Sequence, residues 1–225
     1  MAAAGPFQSV QERARLSRGA SEAAIYQMVA AALARRAVSG GVLIDVGCGG
    51  GSLWNYVGGA FDRYIGVDAV RYDSFPPEAT LYPADLNACM PMVPDNLGDV
   101  VVAVETIEHL ENPRALMREL ARVVKPGGWV IVTTPNQLSL NSIGCLLLKH
   151  RFAYFQDVHY PAHLTALLEV DLMRMARESG LAQPLIEYSG SGRIPFTPWH
   201  YPPFLNAVFA RACSDNLALV ARKPL

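Results

Sequence analysis

Val42-Leu43-Ile44-Asp45-Val46-Gly47-Cys48-Gly49-Gly50-Gly51 is an apolar run that carries one acid near its end and breaks into a glycine-rich loop. Aliphatic residues in series, bounded by glycines, spell a strand buried on both faces, as in the middle of a parallel sheet. The glycines let the chain turn tightly and approach a ligand where a Cβ would collide. A strand, a glycine loop and then a helix is how open α/β sheets take nucleotide-type cofactors. The spacing excludes two of these. The third glycine of a dinucleotide G-x-G-x-x-G falls on Ser52 when counted from Gly47, and on Trp54 when counted from Gly49. No glycine loop ends in Lys-Ser or Lys-Thr, so the P-loop is missing too. What remains is D-x-G-x-G-x-G. The alternative, a turn without a ligand, would spend more glycine entropy than one turn needs.

Working outward, residues 21–36 read as a helix with Ser21 as N-cap, Glu22 in the first turn and Arg35-Arg36 in the last. A helix is expected near 52–59. Arg63–Asp68 reads as a second strand ending in an acid, and a short third strand near Thr80–Pro83 leads into Asp85. Asp99–Val104 is a buried strand, and Pro113–Val124 an amphipathic helix stopped by Lys125-Pro-Gly-Gly128. Trp129–Thr134 is a fifth strand, Leu164–Gly180 a helix, and Leu185–Tyr188 and Asn216–Arg222 two last strands. Alternation of this kind predicts a parallel sheet with helices on both faces. Asp45, Asp68 and Asp85 sit at or just past strand ends, where such sheets bind ligands. Asp68 lies ~20 residues beyond the first loop glycine, where a ribose-binding acid belongs, since a carboxylate accepts from both ribose hydroxyls.

D-x-G-x-G-x-G at 45–51 resembles the class I S-adenosylmethionine-dependent methyltransferases. The likeness continues through Glu105-Thr-Ile-Glu108-His109-Leu-Glu-Asn-Pro113, through Leu120-Ala-Arg-Val-Val-Lys-Pro-Gly-Gly-Trp-Val-Ile-Val-Thr-Thr-Pro-Asn136, and through the segment His163–Gly180. These motifs are similar to the subgroup that contains the ubiquinone-pathway O-methyltransferases, and they span about residues 40–182. The resemblance implies a Rossmann-like, doubly wound α/β fold with a seven-stranded, mostly parallel sheet whose last strand is antiparallel. It also implies S-adenosylmethionine as cofactor and S-adenosylhomocysteine as its product. The cofactor-binding residues it points to are Asp45, Gly47, Cys48, Gly49, Gly51, Asp68 with Ala69 beside it, Asp85, Leu86 and Glu105. Asp68 would take the ribose, Asp85 the adenine amino group, and Leu86 the ring face.

Methyl transfer to a hydroxyl gains from a general base that titrates near neutrality, and histidine is the natural choice. His109 follows the fourth strand, while His159 and His163 end the long connection after the fifth. His109 and His163 are the catalytic candidates, although His163 could equally cap the helix after it. Glu105 and Glu108 stand near the same place. The organisation expected is one methyltransferase domain: an N-terminal helical cap at 1–38, a cofactor-binding half at 40–136, a lid insert at 137–163, and a helix and strand pair at 164–225. The acceptor should be read by 1–24, 137–160 and 190–213, whose aromatic residues could line a pocket or form a homodimer surface.

A net charge of −1 with no basic run argues against nucleic acid as partner. Four scattered cysteines without C-x-x-C suggest a reducing compartment and no structural metal. With no leader-like N-terminus and no apolar run of ~20 residues, a cytoplasmic protein without a membrane span is expected. The function expected is methyl transfer to a small-molecule acceptor, at oxygen. The alternatives are a cofactor-binding regulator without activity, or an NAD-dependent oxidoreductase, which Ser52 disfavours.

Overall fold

The computed structural model describes residues 19–225. Of the expected N-terminal cap and acceptor segment, residues 1–18 lie outside the described residues. In chain order the elements are α1 (Ala23–Ala34), β1 (Val42–Val46), α2 (Trp54–Val57), β2 (Arg63–Asp68), β3 (Thr80–Pro83), β4 (Gly98–Ala103), α3 (Pro113–Val123), β5 (Val124–Pro135), α4 (Leu140–Lys149), α5 (Glu169–Glu178), β6 (Ala182–Tyr188), α6 (Pro203–Val208), α7 (Ala210–Cys213) and β7 (Asn216–Arg222). The strands form one sheet in the order β3-β2-β1-β4-β5-β7-β6. β1, β2, β3, β4 and β5 pair in parallel, and β7 runs antiparallel to both β5 and β6. The last strand is thus the reversed one, as the resemblance implied.

Strand order reverses at β1, which lies between β2 and β4. The carboxyl ends of these strands therefore open a crevice at the sheet's centre. Side chains alternate across the sheet. Ile44, Val101 and Val130 pack on one face with Leu116, Met117 and Leu120 of α3 and Leu172 and Met175 of α5. Leu43, Val100, Val102 and Ile131 pack on the other with Ile25, Val29 and Leu33 of α1. The same alternation puts Asp45 on the α1 face, beside Tyr64, and removes it from water.

Several boundaries differ from those expected, each for a local reason. α1 starts from Glu22, and the backbone N–H of Ser21 donates instead to the Tyr26 hydroxyl at 2.8 Å. The helix expected near 52–59 is one turn followed by a 3₁₀ turn at Gly58–Ala60. β4 ends at Ala103, and Glu105 just beyond it takes a positive φ of 46°, outside the extended region of a regular strand. β5 begins at Val124 rather than Trp129, since Gly98 pairs with Val124 before the register shifts. α3 starts as its sequence asks: the Asn112 side chain accepts from Ala115 N–H at 3.1 Å, and Pro113 occupies the first turn. α5 does not begin at Leu164. Leu164 and Thr165 both donate their N–H groups to the Glu108 carbonyl, at 2.9 and 3.0 Å, which keeps this stretch extended. The helix is capped five residues beyond His163, where Asp171 accepts from Leu168 N–H. His163 is therefore not its cap. Among the described residues no helix is long and apolar enough to cross a membrane.

Candidate active site

A cavity of about 760 Å³ opens over the ends of β1, β2 and β4. That falls within the ~300–1,000 Å³ usual for small-molecule sites. Its floor is the loop after β1. Gly47 has φ +77°, and a Cβ there would lie 2.2 Å from Thr106 Oγ1. Gly49 has φ +51°, and its Cβ would lie 2.1 Å from the carbonyl oxygen of Gly19. Only glycine fits either place, because the loop is pinned between β4's end and the strap that leads into α1. The strap is bound to the loop by Gly50 N–H donating to Gly19 O at 3.0 Å, and Gly19–Glu22 form one wall of the cavity.

Asp68 closes this side. One of its oxygens accepts from Gly49 N–H at 2.8 Å and the other from Val70 N–H at 3.0 Å. A carboxylate has about four acceptor positions, so it keeps capacity for hydroxyl donors. Burial raises its pKa, while the Val70, Gly49 and Ala69 N–H groups oppose the rise. Asp45 is more deeply buried. One oxygen accepts from the Tyr64 hydroxyl at 2.7 Å, and its Oδ1 has no partner. Burial, with the neighbouring Asp68 charge, pushes its pKa up to about 7 against the help of Tyr64. A buried carboxylate oxygen without a donor is costly, and an ammonium group, directly or through a water, would satisfy it.

The opposite wall is built by the turn after β4 and by the segment before α5. Glu105 N–H donates to Thr133 Oγ1, whose hydroxyl donates back to the carboxylate, both at 2.9 Å, and Asn216 Nδ2 donates to its other oxygen at 2.8 Å. Burial and the neighbouring Glu108 hold Glu105 well above the ordinary carboxylate range. Glu108 is fully buried, accepts from the Thr134 hydroxyl at 3.1 Å, and leaves Oε1 without a partner. Burial raises its pKa to about 8, so it is largely protonated at neutral pH. His109 Nδ1 lies 2.8 Å from the Ala162 carbonyl, and His163 Nδ1 lies 2.7 Å from the Tyr154 carbonyl. A carbonyl only accepts, so both rings carry their proton on Nδ1 and leave a lone pair on Nε2. Burial lowers the pKa of His109, and burial with the nearby His109 lowers that of His163 to about 4. Both imidazoles are neutral at pH 7. Their rings meet edge to face with centroids 4.8 Å apart. Glu108, His109 and His163 also bring a carboxylate oxygen and two ring nitrogens within 4.8 Å of one another, a spacing that could hold a divalent cation.

Of the residues singled out in the sequence, Asp45, Gly47, Cys48, Asp68, Ala69, Leu86, Glu105, His109 and His163 line this one cavity. Gly49 lies under the strap, and Gly51 packs toward Pro76 and Phe75. Asp85 is exposed and outside the lining, its side chain accepting from Asn87 N–H at 2.9 Å in a local turn. The lining also takes in Thr106 from the motif after β4, Tyr154 and Tyr160 from the expected acceptor segment, and Tyr26 of α1, which no motif marked. Glu108 was readable from its place in Glu105-Thr-Ile-Glu108-His109, but its spacing from Glu105 did not tell that it would be the more deeply buried of the two.

A family model described as a methyltransferase domain matches residues 20–183. A Mycolicibacterium smegmatis protein named a probable S-adenosylmethionine-dependent methyltransferase is 34% identical over 206 residues, covering 85% of this chain and 70% of that protein. The ubiquinone biosynthesis O-methyltransferase of Thiobacillus denitrificans is 28% identical over 156 residues, 65% of this chain and 67% of its own length. That of Albidiferax ferrireducens is 32% identical, but only over 44% of this chain and 43% of its own length. Among solved structures, a SAM-dependent methyltransferase from Archaeoglobus fulgidus superimposes with a TM-score of 0.63 at 18% identity, over 88% of this chain and 94% of its own, which speaks to the fold.

Proposed function

The chain belongs to the S-adenosylmethionine-dependent methyltransferases, and from that premise we propose that its central cavity transfers the cofactor's methyl group to a hydroxyl oxygen of a small molecule. One observation carries this reading. A single cavity joins the glycine loop and its two acids to a pair of neutral imidazoles. The residues on the loop side fit the cofactor: Asp45 Oδ1 lacks a donor, as a site built for an ammonium would, and Asp68 keeps acceptor positions for ribose hydroxyls. When bound, the cofactor supplies a methyl group on a positively charged sulfur.

The chain's own task is then alignment, exclusion of water and removal of one proton. Leu110, Tyr154, Val158, Tyr160 and Pro161 form the wall that an apolar or aromatic acceptor would meet. Positioning of this kind supplies about 7–11 kcal/mol of barrier lowering. His109 Nε2 takes the acceptor's hydroxyl proton, and the Ala162 carbonyl on Nδ1 steadies the imidazolium that forms. His163 lies beside it as the second base, and Glu108, neutral at pH 7, adds no anionic charge beside the acceptor. Oxygen is favoured over nitrogen because relatives from two bacteria bear the name O-methyltransferase.

The test is incubation with methyl-labelled S-adenosylmethionine and a panel of phenols, catechols and amines. Label should appear in methyl ethers. Label confined to amines, or to no acceptor while the cofactor binds, would sink the oxygen assignment.

A further inference from the structure

Asp215, just ahead of β7, is a buried acid that the cavity does not use. It is 5% exposed and is not among the residues that line the cavity. Burying a carboxylate is costly, so the partners that hold it there are informative. Its backbone is fastened on both sides: Asn136 N–H donates to its carbonyl at 2.7 Å, and its own N–H donates to Ser191 O at 2.9 Å. One side-chain oxygen, Oδ2, then gathers two donors. The Arg193 N–H donates to it at 3.0 Å and the Tyr154 hydroxyl at 3.2 Å. Three stretches far apart in sequence, following β5, within the expected lid insert and following β6, therefore meet on one residue.

Tyr154 carries this anchor to the acceptor wall. It lines the cavity, and its backbone carbonyl accepts from His163 Nδ1 at 2.7 Å. Among the described residues this is the one hydrogen bond of the His163 ring. The rings of His109, Phe155 and His159 stand against it, with centroids 4.8, 5.4 and 5.5 Å away. Such contacts hold the imidazole in place but do not choose its tautomer. The proton's position is set by the hydrogen bond that one ring nitrogen makes. With the Tyr154 carbonyl in place, Nδ1 keeps the proton and Nε2 keeps its lone pair. If the carbonyl drifts beyond ~3.5 Å the bond is lost, and the proton is free to move to Nε2. There the ring could no longer accept from a hydroxyl. His159 shows what a different partner does: its Nδ1 accepts from Gln156 N–H at 3.2 Å, so its proton sits on Nε2. His109 has a separate partner in the Ala162 carbonyl, which confines the effect to His163.

We propose that Asp215 is a positioning residue for the acceptor side of the site: by holding the Tyr154 hydroxyl it keeps the Tyr154 carbonyl on His163 Nδ1, and so keeps Nε2 free to accept. The consequence for turnover rests on the methyl-transfer reading, and the effect on His163 does not. The experiment is imidazole-nitrogen NMR at neutral pH on the full chain labelled at histidine, with the His163 signals identified by their loss in His163→Gln. In the parent, Nδ1 should be protonated and Nε2 not. Tyr154→Phe and Asp215→Ala should each shift His163 toward the form protonated on Nε2. Asp215→Asn should keep the parent's pattern, because one amide oxygen can accept from both Arg193 and Tyr154. Affinity for S-adenosylmethionine should match the parent's in both Asp215 variants, since Asp215 lies outside the cavity. On the phenols and catechols that the parent methylates, turnover in Asp215→Ala should fall about tenfold or more, short of the ~10²–10⁴-fold of losing a base outright. Asp215→Asn should recover it. Should Asp215→Ala fail to fold, Tyr154→Phe decides. The proposal is overturned if His163 keeps the parent's tautomer in folded Tyr154→Phe, or if Asp215→Asn alters it as much as Asp215→Ala. It is also overturned if His163 of the parent already carries its proton on Nε2. A protein that methylates none of the panel yet shows the tautomer change would sink the transfer reading and uphold this one.

Discussion

Replacing Asp45 by asparagine should make the protein more stable at high pH and worse at holding its cofactor. The carboxyl is buried, with Tyr64 donating to one oxygen and nothing donating to the other, and its pKa stands at about 7 against 3.8 for a free group. Between those two values the folded protein holds a proton that the unfolded chain has released. Stability therefore falls as pH rises through this window, and the loss is complete above about pH 7. At 1.36 kcal/mol per unit, the buried charge costs at most about 4 kcal/mol. In the Asp45→Asn variant the amide oxygen still accepts from Tyr64 and nothing ionises. Thermal unfolding should find parent and variant alike near pH 4. At pH 8 the variant should melt higher by up to roughly 8–16 °C, at about 2–4 °C per kcal/mol for a chain of this size. Glu105, Glu108 and Asp68 also carry raised pKa values, so both proteins lose stability with pH, and the difference between them reports Asp45 together with its repulsion of Asp68. S-adenosylmethionine should reverse the ranking at pH 8, because the ammonium it brings suits the ionised acid. Parallel pH profiles for the two proteins would refute the reasoning.

Gly47→Ala should destabilise the fold by about 1–3 kcal/mol or more, because φ is +77° and the added Cβ would fall 2.2 Å from Thr106 Oγ1. A melting temperature unchanged from the parent's would show that the loop is looser than described. His109→Ala should leave cofactor affinity intact while slowing turnover about 10²–10⁴-fold, measured at saturating cofactor. Equal turnover would return the proton-accepting role to His163. Asp68→Ala should weaken cofactor binding more than tenfold by calorimetry, from losing a charged hydrogen-bond acceptor worth about 1.5–3 kcal/mol. Unchanged affinity in a folded variant would remove Asp68 from the site.

The centre of the sheet was readable because its physics is local. Val42–Val46, Arg63–Asp68 and Asn216–Arg222 fall where apolar runs and turn residues place them, since strands buried on both faces leave few alternatives. The side of the cavity proposed for the cofactor follows from the same logic, as strand ends and a glycine loop must converge at the switch between β2-β1 and β4. The acceptor side was harder to read. His163 stands beside His109 because two N–H groups, from Leu164 and Thr165, fasten on the Glu108 carbonyl far away in sequence. No periodicity reports such a contact. Asp85 shows the converse. It follows a strand as the family pattern asks, yet its carboxylate turns to its own backbone at Asn87 N–H, because β3 is short and only partly covered.

The central claim is that the cavity over β1, β2 and β4 binds S-adenosylmethionine. Calorimetric titration of the full chain with S-adenosylmethionine and S-adenosylhomocysteine at pH 8 tests it most directly. The account predicts that both bind with micromolar affinity and one site per chain, and that Asp68→Ala loses most of that affinity. Binding of neither ligand by a protein shown to be folded would contradict it.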